Sequence, residues 1–119
     1  MSGIVKRLGD WARLNAPLLR QKGFLVEENI PLPGSNLPPW KANIGLVYNN
    51  IIVTYTVWER TILQIELIVM NAKTKQTLVM NDATVGNAEV VDRDLQDIVN
   101  KLIDSTYSNM KPDPKLVIT

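Results

Sequence analysis

Two kinds of hydrophobic spacing alternate along the chain and divide it into three blocks. In the first, Ile4, Leu8, Trp11, Ala12, Leu18 and Leu19 recur at helical spacing. This predicts an amphipathic helix over about residues 3–22. Pro17 interrupts it: either the helix kinks there, or Asn15 caps a second short helix with Pro17 in its first turn. Gly23 is the natural stop, because glycine takes a left-handed backbone at little cost. Phe24 to Ile30 then reads as extended. The stretch from Pro31 to Pro39 holds four prolines, which rule out helix and central strand and leave a stiff, exposed loop. It is read first as a connector from a strand edge, and second as a contact loop for a partner.

From Trp40 the period falls to two. Trp40, Ala42, Ile44, Leu46 and Tyr48 alternate with Lys41, Asn43, Gly45 and Val47. Asn49-Asn50 is a plausible tight turn, since asparagine tolerates positive φ. Ile51, Val53, Tyr55 and Val57 then share one face, and Ile52, Thr54, Thr56 and Trp58 the other. Glu59-Arg60-Thr61 turns the chain into Leu63, Ile65, Leu67 and Val69, alternating with Gln64, Glu66, Ile68 and Met70. Ala72 to Lys75 is another turn, and Gln76 to about Asp82 the last strand. Turns this short join antiparallel neighbours.

After Gly86-Asn87 the helical period returns. Val91, Leu95, Ile98, Val99, Leu102, Ile103 and Tyr107 form one stripe, with Asn87 or Asp92 as the cap. The tail from about 109 contains Pro112 and Pro114, then Leu116-Val117-Ile118; it is read as loose, or as a short extended piece along the domain. The fold class expected is therefore α+β: one domain over 1–119, with an antiparallel meander of four to five strands. The N-terminal and C-terminal helices should pack on one face, because a sheet with a wholly apolar side must cover it.

Composition sharpens this. A chain of 119 residues fits one domain with a proper core. Cysteine and histidine are both absent, which removes disulfides, thiolate nucleophiles, histidine-dependent triads and the usual zinc sites. No glycine-rich phosphate loop appears, and no serine or lysine nucleophile stands beside a base. Glu27 and Glu28 should point to opposite faces of an extended segment. Glu66 is expected alone on its face, and Asp92, Asp94 and Asp97 on the solvent side of a helix. The chain is read as non-enzymatic, with no catalytic residue, cofactor or metal.

The net charge of +1 argues against nucleic acid as a partner. No apolar stretch is long enough to cross a bilayer, and the first residues lack the apolar run of a secretory signal. No membrane partner and a cytoplasmic address are the expectations. Charge is segregated, however: Lys6, Arg7, Arg13, Arg20 and Lys22 mark the first helix as basic. Glu89, Asp92, Asp94, Asp97 and Asp104 mark the last as acidic. The two could lie side by side with mild attraction.

With both helices on one side, the other sheet face is free to meet a partner. Trp58, Ile68 and Met70 make that face more apolar than a purely solvated one needs, which reads either as scattered surface hydrophobes or as a contact surface anchored by tryptophan, a residue enriched in interface hot spots. Trp58, Glu59, Arg60, Glu66 and Met70 are the expected partner contacts, whereas Trp11 is expected in the core and Trp40 at a sheet corner. The partner is another protein, or a second copy in a homodimer or adaptor resembling a secretion chaperone.

The order of landmarks resembles a known family. Trp11-Ala12-Arg13 leads a helix ending Leu18-Leu19-Arg20-Gln21-Lys22-Gly23-Phe24, and a proline-rich gap follows. Paired strands run from Ile52 to Glu59 and from Gln64 to Lys75, and an acidic helix around Leu95 to Ile103 closes the pattern. Over about residues 8–105 this resembles the TriTu family of bacterial immunity proteins, encoded beside polymorphic toxins. Trp11, Gly23 and Trp58 are the positions that match. The resemblance implies neutralisation of a cognate toxin by direct binding.

Overall fold

The computed structural model describes residues 3–32 and 34–112. Helix α1 (Ile4–Gln21) comes first, then strands β1 (Leu25–Asn29), β2 (Lys41–Tyr48), β3 (Ile51–Glu59), β4 (Leu63–Asn71) and β5 (Gln76–Val85), then helix α2 (Val90–Ile103). The strands form one antiparallel sheet in the order β1-β2-β3-β4-β5. This is the expected α+β meander, with five strands.

The local chemistry expected at the turns is present. Asn49 and Asn50 have φ of 48° and 66°, so the β2–β3 hairpin closes on two left-handed asparagines and pairs Tyr48 with Ile51. The β4–β5 turn closes with Lys75 at φ 61°, while Asn71 Oδ1 accepts from the backbone N–H groups of Lys73 and Thr74. Gly23, at φ 93°, ends α1. There the Phe24 N–H reaches the Leu19 carbonyl at 3.0 Å and the Gly23 N–H reaches Arg20 at 3.1 Å. This pair of bonds satisfies carbonyls that the helix end would otherwise leave open. The same turn buries Phe24, stacked on Tyr48 with ring centroids 4.4 Å apart.

Helix α1 continues through Pro17 as one helix. Pro17 is exposed, so the Arg13 carbonyl it deprives of a donor can turn to water. Asn15 caps nothing; its amide donates to the Trp11 carbonyl at 2.8 Å. At the start of α2 the N-cap position is Glu89, whose side chain makes no capping hydrogen bond, and Asn87 Oδ1 accepts from the Glu89 N–H at 2.9 Å in the turn that leads into the helix. Asp92 is instead taken up by Arg7. Two residues assigned to apolar stripes lie outside them: Leu18 is 55% exposed and Ile103 is 46% exposed. Each follows or precedes a buried neighbour by one position, a step of about 100° around the helix.

Both helices lie on the same face of the sheet. Alternate residues Ala42, Ile44 and Leu46 of β2, Ile51, Val53, Tyr55 and Val57 of β3, and Ile65 and Val69 of β4 are buried there. They join Ile4, Leu8 and Trp11 of α1 and Val91, Leu95, Ile98 and Leu102 of α2 in one core. A bulge opposite Val69 and Met70 turns Leu78 as well as Val79 toward the helices, and Leu78 is buried. The Arg7 guanidinium meets the Asp92 carboxylate, with Nε at 3.1 Å. The basic helix and the acidic helix are thus clasped at their first turns. Tyr55 crosses the core to donate its hydroxyl to Asp94 at 2.9 Å, so Asp94 is not the solvent-side group expected of it. The proline-rich segment forms an irregular connection between β1 and β2. The segment 113–119, with Leu116-Val117-Ile118, lies outside the described residues.

Candidate functional site

The face of the sheet opposite the helices is organised in rows that the strand registers define. One row reads Lys41, Trp58, Gln64, Thr84, and the next Asn29, Asn43, Thr56, Glu66, Asp82. A third is Glu27, Gly45, Thr54, Ile68, Met80, and a fourth is Leu25, Val47, Ile52, Met70, Thr77. Polarity is graded along the strands. The first two rows are polar around one tryptophan, and the last two gather Leu25, Val47, Ile52, Ile68, Met70 and Met80. Two of these stand well into solvent, Leu25 at 69% and Met80 at 55% exposure. Gly45, at the centre, leaves a dip whose nearest neighbour is the Glu27 Cβ, 3.6 Å from where a glycine side chain would begin.

The polar row is a hydrogen-bonding ladder at one end and a charge conflict at the other. Asn29 Nδ2 donates to Asn43 Oδ1 at 2.8 Å. Thr56 is buried although it faces the open side, because its neighbours in the row are longer. Glu66 and Asp82 are cross-strand partners, a like-charged pair that disfavours itself. Partial burial, then the charge and hydrogen bonding of Asp82, raise the Glu66 carboxyl above its ordinary value, while Lys41 pulls it down. Glu66 is therefore not alone on its face. Its partner was hidden because β5 runs on to Val85 and places Asp82 directly opposite.

Of the expected contact residues, the structure brings Trp58, Glu66 and Met70 onto this one face. Trp58 is half-buried, with Lys41 Nζ 5.7 Å from its ring centroid. Met70 sits in the apolar row, roughly 20 Å from Trp58 along the strands. Arg60 lines a concavity at one end of this face with Trp58, Gln64, Asp82 and Thr84, whereas Glu59 points elsewhere. The Glu59 carboxylate accepts from the Val5 N–H at 3.2 Å and occupies the space where a side chain on Gly3 would begin, which makes it the anion at the start of α1. The Arg60 guanidinium lies 4.6 Å from the Trp40 ring centroid. Trp11 is in the core, and Trp40 is exposed at the end of β2. Asn43, Asp82, Leu25 and Met80 were missed as members of the surface, because membership depends on register rather than on residue type.

A second concavity, of about 860 Å³, lies between α1, the end of β1 and the proline-rich loop, with Val5, Ile30, Leu32 and Leu37 among its walls. The charged groups lining it already have partners. Asp10 pairs with Lys6 and Arg13, and Glu28 with Arg20, while Glu59 holds the helix start. Among the described residues no group of three or more metal-ligating side chains is assembled, and no helix is long and apolar enough to cross a membrane. No protein-family model, curated protein or solved structure matches the chain.

Proposed function

We propose that the protein is a non-enzymatic binding domain that holds another protein on the open face of its sheet. The observation that carries this reading is the face itself, with a tryptophan and two acids at one end and an exposed apolar field at the other. Scattered surface hydrophobes are ordinary, but six on adjacent positions of one uncovered face form a patch. The occupant that fits is a protein surface presenting a cationic side chain flanked by apolar ones. The cation would relieve the Glu66–Asp82 repulsion, and the apolar neighbours would cover Ile68, Met70 and Met80. With the resemblance to TriTu immunity proteins, this makes the neutralisation of a bacterial toxin by direct binding the specific reading.

The test is co-expression with the toxin-like product of an adjacent gene. Rescue of growth and co-purification are expected with the natural chain, and loss of both with Glu66→Lys or Met70→Asp, neither of which touches the core. Failure of the natural chain to rescue or to co-purify removes the reading. The exposed Leu25 and Met80 also favour a second reading, a homodimer through the same face. Sedimentation distinguishes it, since a tight dimer would leave that face unavailable to another protein.

A further inference from the structure

The two edges of the sheet are finished differently. β1 is five residues long, carries Glu27 and Glu28, and has its Val26 carbonyl plugged by Arg20 Nη2 at 2.9 Å. Short length, charge and blocked backbone groups are the usual defences of an edge strand. β5 is ten residues long, has no proline or lysine, and bears Asp82 as its one charge. A bulge also blunts an edge, but the one in β5 falls before Val79 and leaves Val79 to Val85 in unbroken register with β4. Met80 to Thr84 are exposed on both faces of the strand, and the outer edge of β5 has no strand partner among the described residues. On the covered side a groove of about 400 Å³ runs between β5 and α2, with Val79, Val85, Ile98, Tyr107 and Met110 among its walls. Its charged groups are already engaged, Asp97 by Lys101 and Asp94 by the Tyr55 hydroxyl, which leaves an apolar floor.

We propose that the outer edge of β5 takes an extended segment of a partner protein as a sixth strand, with apolar side chains toward the groove and basic ones over Asp82 and Glu66. An added strand gains affinity from main-chain hydrogen bonds, and alternate side chains give it specificity. Both sides of β5 fit that pattern. Toward the helices, Asn81 and Ala83 form the exposed lip of the apolar groove. On the open side Asp82 stands opposite Glu66, and β5 supplies no cation to either. A basic residue on the incoming strand would lie beside this pair and relieve its repulsion. The same charge argues against a second copy of the chain. Pairing β5 with another β5 would bring a second Glu66–Asp82 pair to the seam, again without a cation. This inference rests on the reading of the chain as a protein-binding domain and names how the partner engages it.

Titration of the full-length chain with a short synthetic peptide of alternating valine and lysine tests it, read by fluorescence anisotropy and amide hydrogen exchange. Saturating peptide should slow exchange of the β5 amides directed away from β4 by more than about tenfold and leave those of β1 unchanged. N-methylating the peptide backbone should abolish binding, because the side chains stay and the main-chain donors go. Replacing its lysines by glutamate should weaken it by about tenfold or more, and Asp82→Asn in the protein by about fivefold. Leu25→Asp, on the open face at the opposite edge, should leave peptide binding unchanged, so failure of the edge is separable from failure of the face. No slowing at β5, or binding that survives N-methylation, would overturn the proposal. So would protection of these amides without peptide: at every concentration it would mean that the chain covers its own edge, and growing with concentration it would assign the edge to a second copy.

Discussion

The two faces of β3 are built from alternate residues of one nine-residue strand, and they have opposite fates. Ile51, Val53, Tyr55 and Val57 are sealed under the helices, each at 1% exposure or less. On the other face Ile52, Thr54 and Trp58 are only half-covered, with Thr56 alone buried between longer neighbours. The difference lies in what each side meets. On the covered side, two amphipathic helices supply apolar stripes and clasp each other through Arg7 and Asp92. The open side meets nothing among the described residues, and its polarity is graded rather than uniform. A strand that needed one solvated face would be expected to carry charge or threonine throughout it. The last two rows depart from that, and this departure is what supports the binding role proposed for the open side.

The sharpest way to break this contrast is to truncate one side chain on each face. Leu46→Ala, at a position with no solvent exposure, should lower unfolding stability by about 3 kcal/mol. Met80→Ala on the open face should change it by less than about 0.5 kcal/mol. Denaturant melts measure both, and comparable losses would mean that the second face is covered as well.

Gly23→Ala probes the joint between helix and sheet on the covered side. Its φ of 93° disfavours any side chain, so a loss of about 1 kcal/mol is expected although the site has room for one. Gly3→Ala and Glu59→Ala test whether Glu59 belongs to the helix side rather than to the binding face. Each should cost about 1 kcal/mol by removing the same cap. The double variant should be no worse than either, because one interaction cannot be lost twice.

The smallest effect belongs to the open face and depends on pH. The folded chain holds the Glu66 carboxyl above its ordinary value, so between those two values it binds more protons than the unfolded chain. The Glu66 contribution to stability therefore falls as pH rises through that window and returns on acidification. Glu66→Gln should remove that slope and be slightly the more stable at neutral pH, as thermal melts across the acid range would record.

Much of the fold was legible because its signals are local. The period of two between Trp40 and Met70, the asparagine pair at 49–50 and the glycine at 23 each act through their own backbone. The strands, a hairpin and the end of α1 follow from them. The covered face followed too, since alternation assigns Val53 and Tyr55 to one side whatever lies above. What stayed hidden depends on partners distant in sequence. Asp82 opposite Glu66 required the register of β5, and the bulge at Leu78 shifts that register. Glu59 reads as a surface acid until α1 is seen to begin beside it, 54 positions earlier at Val5. Asp94 looks solvated until Tyr55 reaches across to it. Leu18 and Ile103 are apolar residues that no neighbour covers, a fact that spacing alone blurs.

Hydroxyl-radical footprinting of the dilute, full-length chain compares the two sides in one experiment. Met70, Met80 and Trp58 should oxidise readily, while Trp11, Tyr55 and Tyr107 resist until the protein unfolds. Protection of the first three equal to that of the second would show both sides of the sheet to be occupied, and the docking surface would not exist.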